Sequence, residues 1–236
     1  MPAYPGDYCP LVSNAQLAID APPDDDPEYY RREAMGAFAH EVRTPLTSVR
    51  MVMELARRQS SEGQLVLDSE LAEMLNTSID DLQRLADDLQ EASRLERGKV
   101  NLSRGPCDLA VAVDAARDLA GPNLTLAGNV PPGIEGPWDA ARLVRAIAAF
   151  TESANRMGDG DGIVQLNFWS KPGSVHLTFQ SGEPGTEEKR VAADSGFGFF
   201  RSRQFVLAMD GSVDCTRSER YASIAMSLPF HPGSAS

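Results

Sequence analysis

Cysteine is scarce in this chain, and so are long apolar runs and basic charge. Among 236 residues the cysteines are Cys9, Cys107 and Cys215, odd in number and without the close spacing of metal ligands. They read as reduced thiols of a cytosolic protein, and no metal site is expected from them. No stretch approaches the roughly eighteen uninterrupted apolar residues of a membrane-spanning helix. The opening Met-Pro-Ala-Tyr-Pro-Gly lacks the basic-then-apolar pattern of a secretory signal. A cytoplasmic location without a membrane partner is the expectation. Lys and Arg number 22 against 34 Asp and Glu, a formal net charge of −12. Such a chain offers no basic surface to displace counterions from a phosphate backbone, so no nucleic-acid partner is expected.

What is present divides at changes of composition. Residues 1–27 hold six prolines and the acidic run Asp24, Asp25, Asp26, too little apolar matter to fold, and are expected to be a disordered tail. A helix should start near Pro27 or Glu28, with Asp26 as cap and Pro27 in the first helical position. Its apolar residues Met35, Phe38, Val42, Leu46, Val49, Met53 and Ala56 recur at spacings of three and four. After a turn at Ser60, Ser61 and Gly63, a second helix is announced by Asp68 or Ser69. It carries Leu71, Leu75, Ile79, Leu82, Leu85, Leu89, Ala92 and Leu95 in the same rhythm and stops at Gly98. One antiparallel hairpin cannot bury two such long stripes. A second copy would complete a four-helix bundle, so a homodimer is expected.

On the first helix His40 falls off the apolar stripe and should meet water, where an imidazole nitrogen is free to attack a phosphoryl group. Glu41 beside it can accept the N–H of the other ring nitrogen and fix the tautomer. Pro45, lacking a backbone N–H, should kink the helix near His40. A lone surface histidine would mean little, but nothing about packing requires Glu41, Arg43, Thr44 and Pro45 to follow it.

The run His40, Glu41, Arg43, Thr44, Pro45, Leu46 resembles, without a gap, the H-box of two-component sensor histidine kinases, His-Glu-x-Arg-Thr-Pro-Leu. The resemblance implies that His40 is the phosphoacceptor, that Glu41 is its general base, and that a response-regulator receiver domain is the partner. Glu41-x-x-Thr44 also matches the family's phosphatase pattern, in which Thr44 would orient a water against the regulator's phospho-aspartate. A helical threonine bonded back to the preceding turn is the plainer role for Thr44. Family members usually carry a membrane span or sensory domain before the H-box. With about 27 residues there, this chain is expected to have no dedicated upstream sensor.

Beyond Gly98, through Cys107, Asp108 and Leu109, helices at 108–120, 139–157 and 198–209 alternate with strands near 124–127, 164–169, 175–180, 212–216 and 221–228. The fold class is therefore α+β: a long helical hairpin (28–98) followed by an α/β sandwich (106–231). Its order is similar to the Bergerat-type ATPase domain of histidine kinases, but the nucleotide boxes depart from the family pattern. Aligned through Asp139 and Arg142-Leu143, Ser153 stands where the family has its Mg²⁺-ligating Asn. A hydroxyl is a poor substitute on so demanding a cation. Asn155 lies about 200° further round the helix. Gln180 stands where an Asp would accept the adenine amino group, followed by Gly182 and then Pro184 in place of a glycine. Gly196 and Gly198 survive from the last box, at the start of a helix that would face phosphates. Mg-ATP, the cofactor the resemblance implies, is thus expected to bind weakly or not at all. His176 and His231 have no companions and read as structural or solvated.

Three readings follow. The first is a phosphorelay protein exchanging a phosphoryl group between His40 and receiver aspartates, its ATPase-like domain degenerate. The second is an active ATP-dependent kinase with a divergent site. The third, an adaptor that sequesters a regulator, leaves the intact H-box unexplained. Loss of both nucleotide ligands favours the first over the second.

Overall fold

The computed structural model describes residues 27–59, 67–120, 123–184, 189–190 and 196–230, and the side chains of these except 27–30, 189 and 190. The tail before Pro27 with its Asp26 cap, the turn at Ser60, Ser61 and Gly63, and His231 lie outside the described residues.

Two long helices form the hairpin, α1 (Pro27–Gln59) and α2 (Ser69–Glu96). Asp68 caps α2, its carboxylate accepting the Leu71 N–H at 2.8 Å, and Gly98 follows the helix with φ +62°. That left-handed turn is the usual stop for a helix. α1 runs through Pro45 without a break. Val52 and Ala56 of α1 pack on Leu71, Met74 and Leu75 of α2 and are fully buried. Met35, Leu46, Met53 and Ile79, all on the periodic stripes, remain exposed in the single chain. Among the described residues no helix is long and apolar enough to cross a membrane.

The C-terminal half is a two-layer sandwich. In chain order it runs β1 (Gly105–Asp108), α3 (Leu109–Leu119), β2 (Thr125–Ala127), β3 (Glu135–Trp138), α4 (Ala140–Met157), β4 (Ile163–Lys171), β5 (Gly173–Ser181), β6 (Lys189–Arg190), α5 (Gly196–Ala208), β7 (Ser212–Arg217) and β8 (Ala222–Phe230). Six strands make one sheet in the order β2-β4-β5-β8-β7-β6, with β2 parallel to β4 and the other neighbours antiparallel. β1 and β3 form a separate antiparallel pair. Val175, Leu177 and Phe179 of β5 and Ile224, Met226 and Leu228 of β8 alternate into one core with Leu143, Ile147 and Phe150 of α4, as a sheet with helices on a single face requires.

Asp139 ties this domain together. Its side chain caps α4 through the Arg142 N–H and accepts the Ser103 N–H at 2.9 Å, besides pairing with the Arg142 guanidinium. Burial would push its carboxyl up, but those donors outweigh it and hold the pKa below the ordinary 3.8. A carboxyl depressed by folding stabilises the native state above its unfolded pKa and stops doing so as pH falls through the folded one. The domain should therefore lose stability in acid below about pH 4, and Asp139→Asn should lower the melting temperature at neutral pH while flattening that acid limb. Calorimetric scans from pH 3 to 7 check this.

Candidate phosphotransfer site

His40 lies on α1 with its side chain exposed. Its surroundings come from both halves of the chain. Together with Glu41 it lines a cavity of about 550 Å³ whose other walls include Arg156 of α4, Gly196 and Arg203 of α5, and Arg217 of β7. Three guanidinium groups thus border the cavity that the imidazole faces, a setting suited to a phosphoryl group.

The expected partner for Glu41 was the His40 ring. Instead Glu41 Oε1 accepts the Phe197 backbone N–H at 2.9 Å, at the start of α5. A helix N-terminus presents unsatisfied N–H groups and a partial positive charge, and the carboxylate answers both. Gly196 makes the approach possible. Its φ is +81°, and a Cβ there would lie 2.9 Å from both Glu41 Oε1 and Arg156 Nη2. Phe38 stands edge-on to Phe197 at 5.0 Å, and Ala34, Ala92, Phe197 and Phe200 close a small apolar patch with Phe38 and Leu89.

Charge secures the same contact from α2. Arg201 pairs with Asp88, while Arg142 meets Glu91 at 3.1 Å and Arg145 reaches it at 3.8 Å. Burial lowers the Arg201 pKa and Arg84 adds to the effect, with Glu41 acting against it. A guanidinium at such a depth persists only where carboxylates compensate its lost hydration. Arg43 and Thr44, one turn on from His40, are exposed. Bonds back to the preceding turn are made by Thr47 to the Arg43 carbonyl and by Ser48 to that of Thr44.

The nucleotide candidates do not converge. Ser153 is 1% exposed on α4, and its hydroxyl takes a hydrogen bond from Arg156 Nη2 at 3.3 Å. Gln180 points away from α4, because alternation along β5 puts Phe179 and Ser181 on the helix side. Its amide is consumed in the sheet: Asn167 Nδ2 donates to Gln180 Oε1 at 2.9 Å, and Gln180 Nε2 donates to the Tyr221 hydroxyl at 3.0 Å. Gly182, φ +81°, sits where a Cβ would come within 1.8 Å of the Arg220 carbonyl oxygen, so close backbone packing explains it. Gly198 has open contacts and Asn155 holds the Gly162 N–H at 2.9 Å. The residue on the helix side is Ser181, 1% exposed, against which a Cβ on Gly158 would come to 2.7 Å. With Ser153 bonded to Arg156, Gln180 turned away and the α5 N–H held by Glu41, these residues do not fit Mg-ATP. Among the described residues no group of three or more His, Cys, Asp or Glu could hold a metal. His176 stacks on Trp169 at 5.2 Å on the sheet's open face.

Sequence reasoning missed Ser181, Phe197, Arg203 and Arg217. Counting alternation from Val175 would have found Ser181. The other three become visible only when α5 and β7 meet α1.

A histidine-bearing helical hairpin docked on an ATPase-like sandwich defines the class. Residues 30–98 match the His Kinase A (phospho-acceptor) domain. The chain is 30% identical over 221 residues to the probable sensor histidine kinase TcrY of Mycobacterium tuberculosis, covering 84% of this chain and 46% of TcrY. It is 28% identical over 166 residues to the histidine-protein kinase BaeS of Escherichia coli, covering 68% and 35%. In fold it is similar to the histidine kinase AdeS of Acinetobacter baumannii, with TM-score 0.59 and 19% identity over 81% of this chain and 98% of that one. Residues 30–98 thus carry the phospho-acceptor domain of histidine kinases, and the similarity to sensor histidine kinases runs on over 221 residues. It spans less than half the length of the curated relatives it matches.

Proposed function

We propose that this protein exchanges a phosphoryl group between His40 and the aspartate of a receiver domain, its ATPase-like half serving to dock on the hairpin rather than to supply phosphate. The observation that carries the reading is the contrast between the two halves. The H-box histidine is exposed beside three arginines, whereas the nucleotide candidates Ser153 and Gln180 are bonded within the fold.

In the forward step a ring nitrogen of His40 attacks the phosphorus of the receiver's aspartyl phosphate. The N–P bond forms as the P–O bond breaks, and the aspartate carboxylate leaves. The reverse step regenerates neutral imidazole. Glu41, when swung back to the ring, holds the tautomer that leaves the attacking nitrogen unprotonated. Thr44, one turn on, lies where a hydroxyl can orient water for hydrolysis. Incubation with a radiolabelled phospho-receiver tests the reading: label should move to His40 or appear as inorganic phosphate, and label retained entirely on the receiver speaks against it.

The ATP-driven alternative draws on one observation, that His40 and the α5 N-terminus share a cavity. Labelled Mg-ATP, followed by assay for acid-labile phosphoprotein, separates the two.

The active unit in this reading is a homodimer working in the cytoplasm, where a receiver partner and reduced Cys107 and Cys215 are at home. Support comes from Met35, Leu46, Met53 and Ile79, stripe residues left exposed by one chain, since each large apolar side chain buried gains about 1.5–3 kcal/mol. A fragment of residues 28–98 should sediment as a dimer at micromolar concentration. A helical monomer would contradict the bundle.

A further inference from the structure

We propose that the cavity beside His40 binds a small acyl phosphate, the mixed anhydride of phosphate and a short carboxylic acid, and that His40 takes its phosphoryl group directly, with no receiver present. Arg156, Arg203 and Arg217 are the phosphate-binding residues. The proposal rests on the reading of His40 as phosphoacceptor and adds a small-molecule donor to that site.

A carboxyl phosphate is already the reacting group of the proposed exchange, since a receiver presents an aspartyl phosphate. The same atoms on a small molecule need only a place to bind. The cavity measures about 550 Å³, within the range of small-ligand sites and far too small for a protein domain. His40 stands exposed at its wall, so the docked chain leaves the imidazole open to such a donor.

The walls carry the charge such a ligand needs. Arg156 of α4, Arg203 of α5 and Arg217 of β7 bring three guanidiniums to one cavity from separate elements, and the carboxylates lining it are those of Glu33 and Glu41. Three cations less two anions leave one positive charge in surplus, in a chain whose net charge is −12. Glu41 Oε1 accepts the Phe197 N–H, so the α5 N-terminus offsets part of that carboxylate's charge. Planar guanidinium forks match the oxygens of a phosphate. Phe199, Phe200 and Met157 supply an apolar stretch of wall, room for a short acyl chain. The amide of Gln180 is taken up by Asn167 and Tyr221, and a donor without a base has no use for it.

In the step, a ring nitrogen of His40 attacks the phosphorus. The N–P bond forms as the P–O bond to the acyl group breaks. The bonding pair leaves on the carboxylate, and the proton of the other ring nitrogen passes to water. A carboxylate titrates at about pH 4, so it departs at neutral pH without a general acid. Charge spread over the three outer oxygens in the transition state is what the guanidiniums stabilise.

The test uses the full chain, without receiver, and acetyl phosphate labelled at phosphorus. Wild type should gain acid-labile label at a rate that saturates with donor, and His40→Ala should gain none. Arg203→Gln and Arg217→Gln should each slow labelling at low donor by about tenfold or more, the scale of one lost charge-assisted hydrogen bond. Arg58→Gln, in the last turn of α1, should match wild type. Acetylphosphonate, whose P–C bond cannot transfer, should compete with the donor on wild type, a readout that needs no variant to fold. Labelling that rises linearly with donor, ignores acetylphosphonate and survives both arginine changes would be that of a bare imidazole and overturns the site. A parallel incubation with phospho-receiver separates the two failures. Label from the receiver but none from acetyl phosphate sinks the small donor and leaves the phosphoacceptor reading standing, whereas label on His40 from neither source defeats that reading and the proposal with it.

Discussion

Changing His40 to Ala should remove every trace of acid-labile, alkali-stable phosphate from the chain after exposure to a phospho-receiver. The loss should be complete because an N–P bond needs an unprotonated nitrogen, and among the described residues the only other histidine, His176, lies on the open face of the sheet stacked on Trp169. Its ring already bonds Ser174 Oγ at 2.9 Å. The Thr44→Ala variant should separate the two halves of the chemistry. Transfer to His40 should proceed nearly as before, since the nucleophile is intact, while release of inorganic phosphate should slow by about a hundredfold, the scale of a lost positioning group. Thr44 is exposed, so its removal costs the fold little and the effect reads on chemistry. Phosphate that survives on the His40→Ala chain would place the phosphoacceptor elsewhere.

The hairpin was legible in the sequence because every level of signal agreed. The three-four rhythm, the Asp68 cap and the Gly98 stop each give the same boundaries, and α2 ends within two residues of that glycine. The sandwich helices and long strands were legible for the same reason. The β1–β3 pair was not. Pro106 faces Pro137 across it, and proline argues against a strand, while a Cβ on Gly136 would penetrate the Trp138 ring, a requirement no local pattern announces. Gln180 shows a different limit. Motif alignment assigned it to the adenine, but side chains alternate along a strand, and one residue of register carries the amide to the far face and leaves Ser181 toward α4. Glu41 reads in the sequence as the companion of His40, yet the partner it holds lies 156 residues away. Contacts at that separation depend on how two finished elements dock, which periodicity does not encode.

Mg-ATP should bind no tighter than about millimolar, and autophosphorylation of His40 should be absent or very slow. Phosphoryl transfer is almost wholly a matter of positioning and of neutralising charge with the metal. Ser153 offers a buried hydroxyl already bonded to Arg156, and the α5 N–H that would meet a phosphate oxygen is held by Glu41. Each missing contact is worth a few kcal/mol, so about a hundredfold apiece in rate or affinity. Restoring the family's groups discriminates between two placements of the adenine ligand. Ser153→Asn with Gln180→Asp should leave calorimetric affinity unchanged, because residue 180 faces Asn167 and Tyr221 rather than α4. Ser153→Asn with Ser181→Asp should tighten it, because residue 181 lies against the C-terminal end of α4. The reverse result would mean that β5 is read one residue out of register. Rapid labelling of the wild-type chain by Mg-ATP would show that the arginines around the cavity neutralise phosphate without the family's asparagine, and the ATP-driven reading would then hold.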